Sequence, residues 1–219
     1  FGNCIQSVDV LGEFVLIDAE VIRKRLVSSS IPNNQVKISD AVDVEITHRR
    51  KIIYLPDNFM VVLDLMDSTQ SHTYRQWFQI NPELLVEGDE TELFLTNGKR
   101  KPVARIIPIY PVESIAEIHS GVTVPHLQGW TSVDGHTLEK STSLCVKSEG
   151  ENAVLATLFD LNPSRKATFF FNEGTRGKYL RFSIKRGKSV FEFVSRTKGL
   201  ITEITVKDSN GEHNLSKEG

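Results

Sequence analysis

The stretch from Val42 to Pro82, VDVEITHRRKIIYLPDNFMVVLDLMDSTQSHTYRQWFQINP, constrains this chain more than any other. Val42, Val44 and Ile46 alternate with Asp43, Glu45 and Thr47, the two-residue period of a strand with one buried face. Continued, the alternation sets His48, Arg50, Ile52 and Tyr54 on the face of the three apolar residues. Pro56-Asp57-Asn58 supplies turn chemistry. Phe59 to Met66 is then an almost continuous apolar strand, interrupted only by Asp64. Asp67 to Ser71 reads as a polar turn, after which His72, Tyr74, Gln76, Phe78 and Ile80 alternate up to Asn81-Pro82. Such a stretch predicts β structure, and it carries ionisable groups on an apolar face that must find partners there.

The rest of the chain repeats the theme. Phe1 to Ile17 holds two short apolar segments around Leu11-Gly12 and reads as a hairpin. Asp18 to Val27 fits either a strand, by its β-branched content, or one to two helical turns, by the spacing of Val21, Ile22 and Leu26. Ser28 to Asn34 is a loop. Asn97-Gly98, between Leu93-Phe94-Leu95 and Val103 to Tyr110, is a strong hairpin signal. Pro102, Pro108 and Pro111 predict that the returning strand lies at a sheet edge or its rim. Val112 to Lys140 is irregular. Thr142 to Lys147 and Ala153 to Leu161 read as two strands joined across Glu149-Gly150-Glu151. Thr168 to Asn172 follows. Tyr179-Phe182, Val190-Val194 and Ile201-Val206 form an antiparallel meander, with Lys185 to Lys188 as a solvated hairpin tip. Asp208 to Gly219 reads as a frayed polar tail. A dozen or more short strands at roughly 8–12-residue spacing predict an all-β antiparallel sandwich with little helix, a single unit over 1–219.

Composition narrows the function classes. With 26 basic against 28 acidic residues, the 219-residue chain has no field of one sign to hold a nucleic acid. No apolar run approaches the about 20 residues of a membrane span. Cys4 and Cys145 are two cysteines without metal-ligand spacing, and read as buried thiols before a bridge. The first residue is Phe1, which leads to the expectation that the natural N-terminus lies upstream. Nucleophile elbows, zinc-helix motifs, phosphate loops, dinucleotide fingerprints and C-x-x-C pairs are all absent from the sequence.

His48 and Arg50 share a face. They read either as a metal ligand or acid/base group beside a carboxylate-binding guanidinium, or as a structural histidine beside an ion pair. Asp64 on the adjacent strand is the expected partner of Arg50, and His48 is expected within reach of a carboxylate. His72 is expected at the surface. His119 and His126 flank an irregular loop, and Asp134-Gly135-His136 reads as a turn. Trp77 and Trp130, if exposed, offer flat apolar faces suited to sugar rings; burial is the commoner fate of the side chain.

Three segments together, T-H-R-R-K-I-I-Y-L, F-M-V-V-L-D and H-T-Y-R-Q-W-F-Q-I-N-P, resemble the β-sandwich part of the heparinase II/III-like polysaccharide lyases. Gly129-Trp130-Thr131-Ser132, Ala156-Thr157-Leu158-Phe159 and Gly2-Asn3-Cys4-Ile5…Val8-Asp9 extend the resemblance over Asn3 to Leu161. It implies an α-helical toroid upstream, a C-terminal sandwich, and cleavage beside a uronic acid by β-elimination, with the main catalytic residues on the toroid. It implies an acidic polysaccharide as partner, and a periplasmic or secreted location. It also implies a metal, zinc by preference, held by His48 with Asp18 or Asp9. Arg50 and Trp130 are the expected substrate contacts. Gly2 stands where the family has a His that the sandwich contributes to catalysis, so no catalytic residue is assigned to this chain, which is expected to be inactive without the toroid. The competing expectation is a non-catalytic carbohydrate-binding or structural module.

Overall fold

The structure is a computed structural model, which describes residues 2–29, 37–111, 114–132, 134–171, 179–198 and 201–215. In chain order the strands are β1 (Gly2–Leu11), β2 (Phe14–Ser29), β3 (Lys37–Leu55), β4 (Phe59–Ile80), β5 (Leu85–Asp89), β6 (Glu92–Thr96), β7 (Pro102–Tyr110) and β8 (Ala116–Ser120). They continue as β9 (Trp130–Thr131), β10 (Glu139–Lys140), β11 (Thr142–Asp160), β12 (Ala167–Phe171), β13 (Tyr179–Arg186), β14 (Ser189–Lys198), β15 (Ile201–Asp208) and β16 (Gly211–Asn214). Among the described residues the one helical element is a single 3-10 turn, Pro56–Asn58, between β3 and β4. Among the described residues no helix is long and apolar enough to cross a membrane.

Nine strands form one antiparallel sheet in the order β1-β2-β3-β4-β11-β7-β6-β5, with β8 pairing β11 off that path. Five form a second, β12-β13-β14-β15-β16. The two pack face to face. Leu16, Ile53, Leu55, Phe59, Val61, Leu63 and Leu158 of the large sheet meet Phe182, Ile184, Phe193, Ile204 and Val206 of the small one. The strict alternation of β4 makes this core: its odd residues from Phe59 to Leu65 point to the second sheet. The expected sandwich is therefore present, and Asp18 to Val27 is strand.

The even residues of β4 build a second core on the opposite face. Val62 and Met66 cluster there with Tyr74 and Ile80 of the same strand, with Leu144, Val146 and Leu155 of β11, and with Leu93 and Ile106. This requires the sheet to fold over itself. Asp64 and Gln76 are 12 residues apart on β4, about 40 Å at roughly 3.3 Å per residue in an extended strand. Instead Gln76 Nε2 donates to Asp64 Oδ2 at 3.0 Å and to the Val62 carbonyl at 3.3 Å. The fold-over lies where the β4–β11 register jumps. His72 faces Gly150 and Asp67 faces Asn152, so the single residue Glu151 stands opposite Ser68 to Ser71. Gly150, at φ 146, takes a backbone conformation that a side chain would oppose.

This corrects two expectations. Asp67 to Ser71 is no turn between strands but the bent middle of β4, and Glu149-Gly150-Glu151 is likewise interior to β11. The polar residues mark a bend that both strands make together. β7 is also no edge strand: it lies between β11 and β6. Pro108 is accommodated because the β11–β7 register shifts between Ala156, opposite Tyr110, and Thr157, opposite Pro108. In the C-terminal third the meander is as expected, but the expected frayed tail supplies β16, which pairs β15 from Thr205–Asn214 to Asp208–Gly211.

The expected solvated tip, Lys185 to Lys188, also differs. Arg186 is 1% exposed and pairs with Asp160, itself 1% exposed, at the end of β11. Its guanidinium donates to the Asp57 carbonyl at 2.5 Å and lies 4.1 Å from the Phe59 ring centroid. A buried guanidinium needs such partners, and these three tie the two sheets together.

Candidate functional site

β3 pairs with β2 and β4, with His48 between Val21 and Met66 and Arg50 between Ala19 and Asp64. Pairing opposite residues in an antiparallel ladder sets them on one face. Arg50 Nε and Nη2 reach the two oxygens of Asp64 at 2.6 Å each, and His48 Nε2 lies 3.0 Å from Asp64 Oδ1. Gln76 completes the shell of Asp64, and Thr157 Oγ1 donates to Gln76 Oε1 at 2.6 Å. Burial would raise the Asp64 carboxyl; the hydrogen bonds from Arg50 and His48 outweigh it and hold the group below the usual carboxylate range. The expected Arg50–Asp64 pair and the carboxylate within reach of His48 are both found.

Asp18 lies elsewhere. It is paired with Lys51, and so faces the side of the sheet opposite to His48. Lys51 Nζ reaches Asp18 Oδ2 at 2.6 Å, and Arg49 Nε and Nη2 reach the carboxylate at 2.8 and 2.7 Å. The expected pairing of His48 with Asp18 around zinc is therefore not made: strand parity separates the two side chains, and two cations saturate Asp18. Asp9, the alternative, pairs with Leu16 and shares the Asp18 face. Among the described residues no group of three His, Cys, Asp or Glu side chains is placed to hold a metal. Asp64, with a guanidinium across both oxygens, is equally unsuited to one.

Trp130 follows Gly129, at φ 68, where an added Cβ would come 2.4 Å from the His119 carbonyl oxygen. Only glycine permits this approach. The Gly129 amide donates to Ser143 Oγ at 3.1 Å and its carbonyl accepts from the Gly121 amide at 3.0 Å. Trp130 Nε1 donates to the Val122 carbonyl at 3.0 Å, which pins the indole across the base of the loop. Two open depressions lie along the bent half of β4. One, of 360 Å³, runs from His48 and Met66 to His72, Arg75 and Trp77. The other, of 420 Å³, runs from Trp77 and Gln79 to His126, Leu127 and Trp130. Arg50, the other expected substrate contact, lines neither.

Three residues in and beneath this surface have surroundings that the sequence reading did not reach. His72 was expected to be exposed, but the bend half-buries it and leaves its Nε2 inaccessible and without a hydrogen-bond partner. Gln76 and Arg75 gave no signal, because their positions depend on the fold-over. Cys145 is a free buried thiol, and burial, with the nearby Glu117 carboxylate, pushes it up to about 11. The side chain of Cys4 lies outside the described residues.

Neither a protein-family model nor a curated protein matches the sequence. Solved structures do match by fold. Heparinase III superposes with a TM-score of 0.55 at 11% identity, over 89% of this chain and 27% of its own. The chain shares its fold with part of heparinase III. The heparan sulfate lyase HepC from Pedobacter heparinus superposes with a TM-score of 0.56 at 8% identity, over 93% of this chain and 27% of that one. A second heparinase III gives 0.56 at 11% identity, over 89% and 28%. The chain thus spans a little over a quarter of the structures it matches, and the likeness covers more of it than Asn3 to Leu161.

Proposed function

We propose that this chain is the β-sandwich domain of a lyase that cleaves uronic-acid-containing polysaccharide by β-elimination, working with a helical domain upstream in the same protein. The observation that carries the reading is the fold likeness to heparinase III and HepC over about nine-tenths of this chain. The order of the T-H-R-R-K, F-M-V-V-L-D and H-T-Y-R-Q-W segments along β3 and β4 supports it. In β-elimination a base removes the C5 proton of the uronate while its carboxylate charge is stabilised, the C4–C5 double bond forms as the C4–O glycosidic bond breaks, and the leaving oxygen takes up a proton. The sandwich contributes binding surface to that reaction, and the reading places no metal on His48 and Asp18.

The test is to produce the chain with and without the sequence that precedes it and to supply heparan sulfate and alginate separately. Ultraviolet absorbance of the unsaturated uronate product should rise only with the longer protein. If the longer protein leaves every uronate polymer intact yet the isolated chain binds one of them, the reading as a lyase fails and a carbohydrate-binding module replaces it.

A further inference from the structure

The two depressions share one wall. Trp77 lines both, so they form a single groove along the bent half of β4. From Thr73 to Gln79 that strand runs about 20 Å at roughly 3.3 Å per residue. The described pairing of β3 with β4 ends at Ile46 opposite Ser68, while β11 follows β4 to Ile80. The first depression therefore opens at the edge of β4 that β3 has left, and the second extends over β11, where Ser143 lines it.

Its chemistry is selective. The chain has more acidic than basic residues, yet among the described residues no carboxylate lines either depression. Arg75 is exposed and makes no ion pair among the described residues. Two acids lie on the outward face beside it: Glu117 is bonded by Lys147 at 2.5 Å and by His119 at 3.3 Å, and Glu149 accepts from Oγ1 of the groove-lining Thr73 at 3.3 Å. His72 also lines the first depression, with its Nε2 buried and without a hydrogen-bond partner among the described residues. The chain has two tryptophans, and both line the groove. By contrast, the depression lined by Glu13, Asp57 and Asp208 beside β14 holds only acidic charges.

We infer that this groove binds an extended acidic oligosaccharide, with Trp77 as the central sugar platform, Trp130 at one end, and Arg75 taking the anionic substituents at the other. The inference rests on the reading of the chain as part of a protein that handles acidic polysaccharide, and adds a binding site that this domain carries by itself. Charge complementarity selects the acidic glycan over a neutral one, and the flat indoles suit pyranose faces.

Intrinsic fluorescence reads the site directly, because all tryptophan emission comes from the groove. Size-fractionated heparan sulfate and alginate oligosaccharides, titrated into the isolated chain, should shift that emission saturably, and cello-oligosaccharides should not. Arg75→Ala, at an exposed position, should weaken binding about tenfold, and Trp130→Phe should halve the signal and weaken binding less. Trp77→Ala should abolish binding; its circular dichroism and that of Arg75→Ala are recorded as controls for folding. Binding unchanged in folded Arg75→Ala, or equal shifts with cello-oligosaccharide or single-stranded DNA, would overturn the inference. If the longer protein cleaves a uronate polymer while the isolated chain and its variants show no saturable shift, the groove is refuted and the lyase reading stands. If oligosaccharide binds here but no longer protein cleaves, the lyase reading falls and the groove remains.

Discussion

Asp64 and Asp18 are both buried carboxylates held by cations from β3, one on each face of that strand. They are 1% and 4% exposed. Consecutive residues supply their partners: His48 and Arg50 turn to Asp64, Arg49 and Lys51 to Asp18. The surroundings differ. The Lys51 side chain is only 5% exposed, so Asp18 and Lys51 form a closed pair with Arg49 at the rim. The Arg50 and His48 side chains are 34% and 20% exposed, and His48 borders the groove. One cluster is enclosed and fixes the β2–β3 pairing; the other joins the folded-over half of the sheet to the rest and reaches solvent. Carboxylates partnered from adjacent residues of one strand therefore differ in what their loss would cost.

The comparison predicts that Asp18→Asn is the more damaging change. It strands a buried ammonium, for which breaking a buried pair costs about 3–5 kcal/mol, read by urea unfolding. Adding Lys51→Met removes the stranded charge and should restore more than half of that loss, giving a double-mutant coupling well above about 1 kcal/mol. A double variant no better than the single would break the account of Asp18 as an enclosed pair. Gln76→Ala should come next, at about 2–3 kcal/mol, since it deletes the hydrogen bonds that hold the folded-over half of β4 to Asp64 and Thr157. Hydrogen exchange should then rise in Thr142 to Lys147 before it rises in β13 and β14.

Asp64→Asn is expected to cost less than either, about 1–2 kcal/mol, because Arg50 can turn to solvent and the amide still accepts from it. If Asp64→Asn proves as costly as Asp18→Asn, the two clusters are equivalent and the contrast fails. Acid titration sharpens the same point. Burial raises both carboxyls, but the hydrogen bonds from their partners lower them by more, so both end below the ordinary range. A depressed folded-state value means stability that is complete above the unfolded carboxylate pKa of about 4 and is lost as pH falls below it. The wild type should lose stability below about pH 4, and the Asp18→Asn, Lys51→Met double variant should lose less over that window. The smallest effect is expected at the exposed Glu117–Lys147 pair, where Lys147→Ala should change unfolding by under about 1 kcal/mol.

Much of this was written in local pattern. Alternation along Val42 to Tyr54 gave β3 and put His48 and Arg50 on one face, and the lone charge in Phe59 to Met66 marked Asp64 as needing a partner. Leu11-Gly12 and Asn97-Gly98 gave hairpins, and the spacing of short strands gave the sandwich. Parity also held the information that Asp18 opposes His48, but only once the β2–β3 register is known, and register depends on turns that the sequence does not number. For the same reason the zinc pair of His48 and Asp18 was conceivable in sequence and is not formed in space.

What tertiary structure alone decided is the fold-over and everything built on it. Asp67 to Ser71 has the composition of a turn, and only its pairing opposite Glu151 makes it the bend of one continuous strand. That bend brings Gln76 onto Asp64, half-buries His72 and lays Trp77 between two depressions, none of which follows from neighbours in sequence. Arg186 shows the same limit: at a hairpin end a guanidinium reads as solvated, until the second sheet packs it against Asp160 and Phe59. Local sequence sets which way a side chain points from its own strand, because the pleat has a fixed period of two. What it meets there depends on contacts distant in the chain, and those are set by how two sheets and one bend pack together.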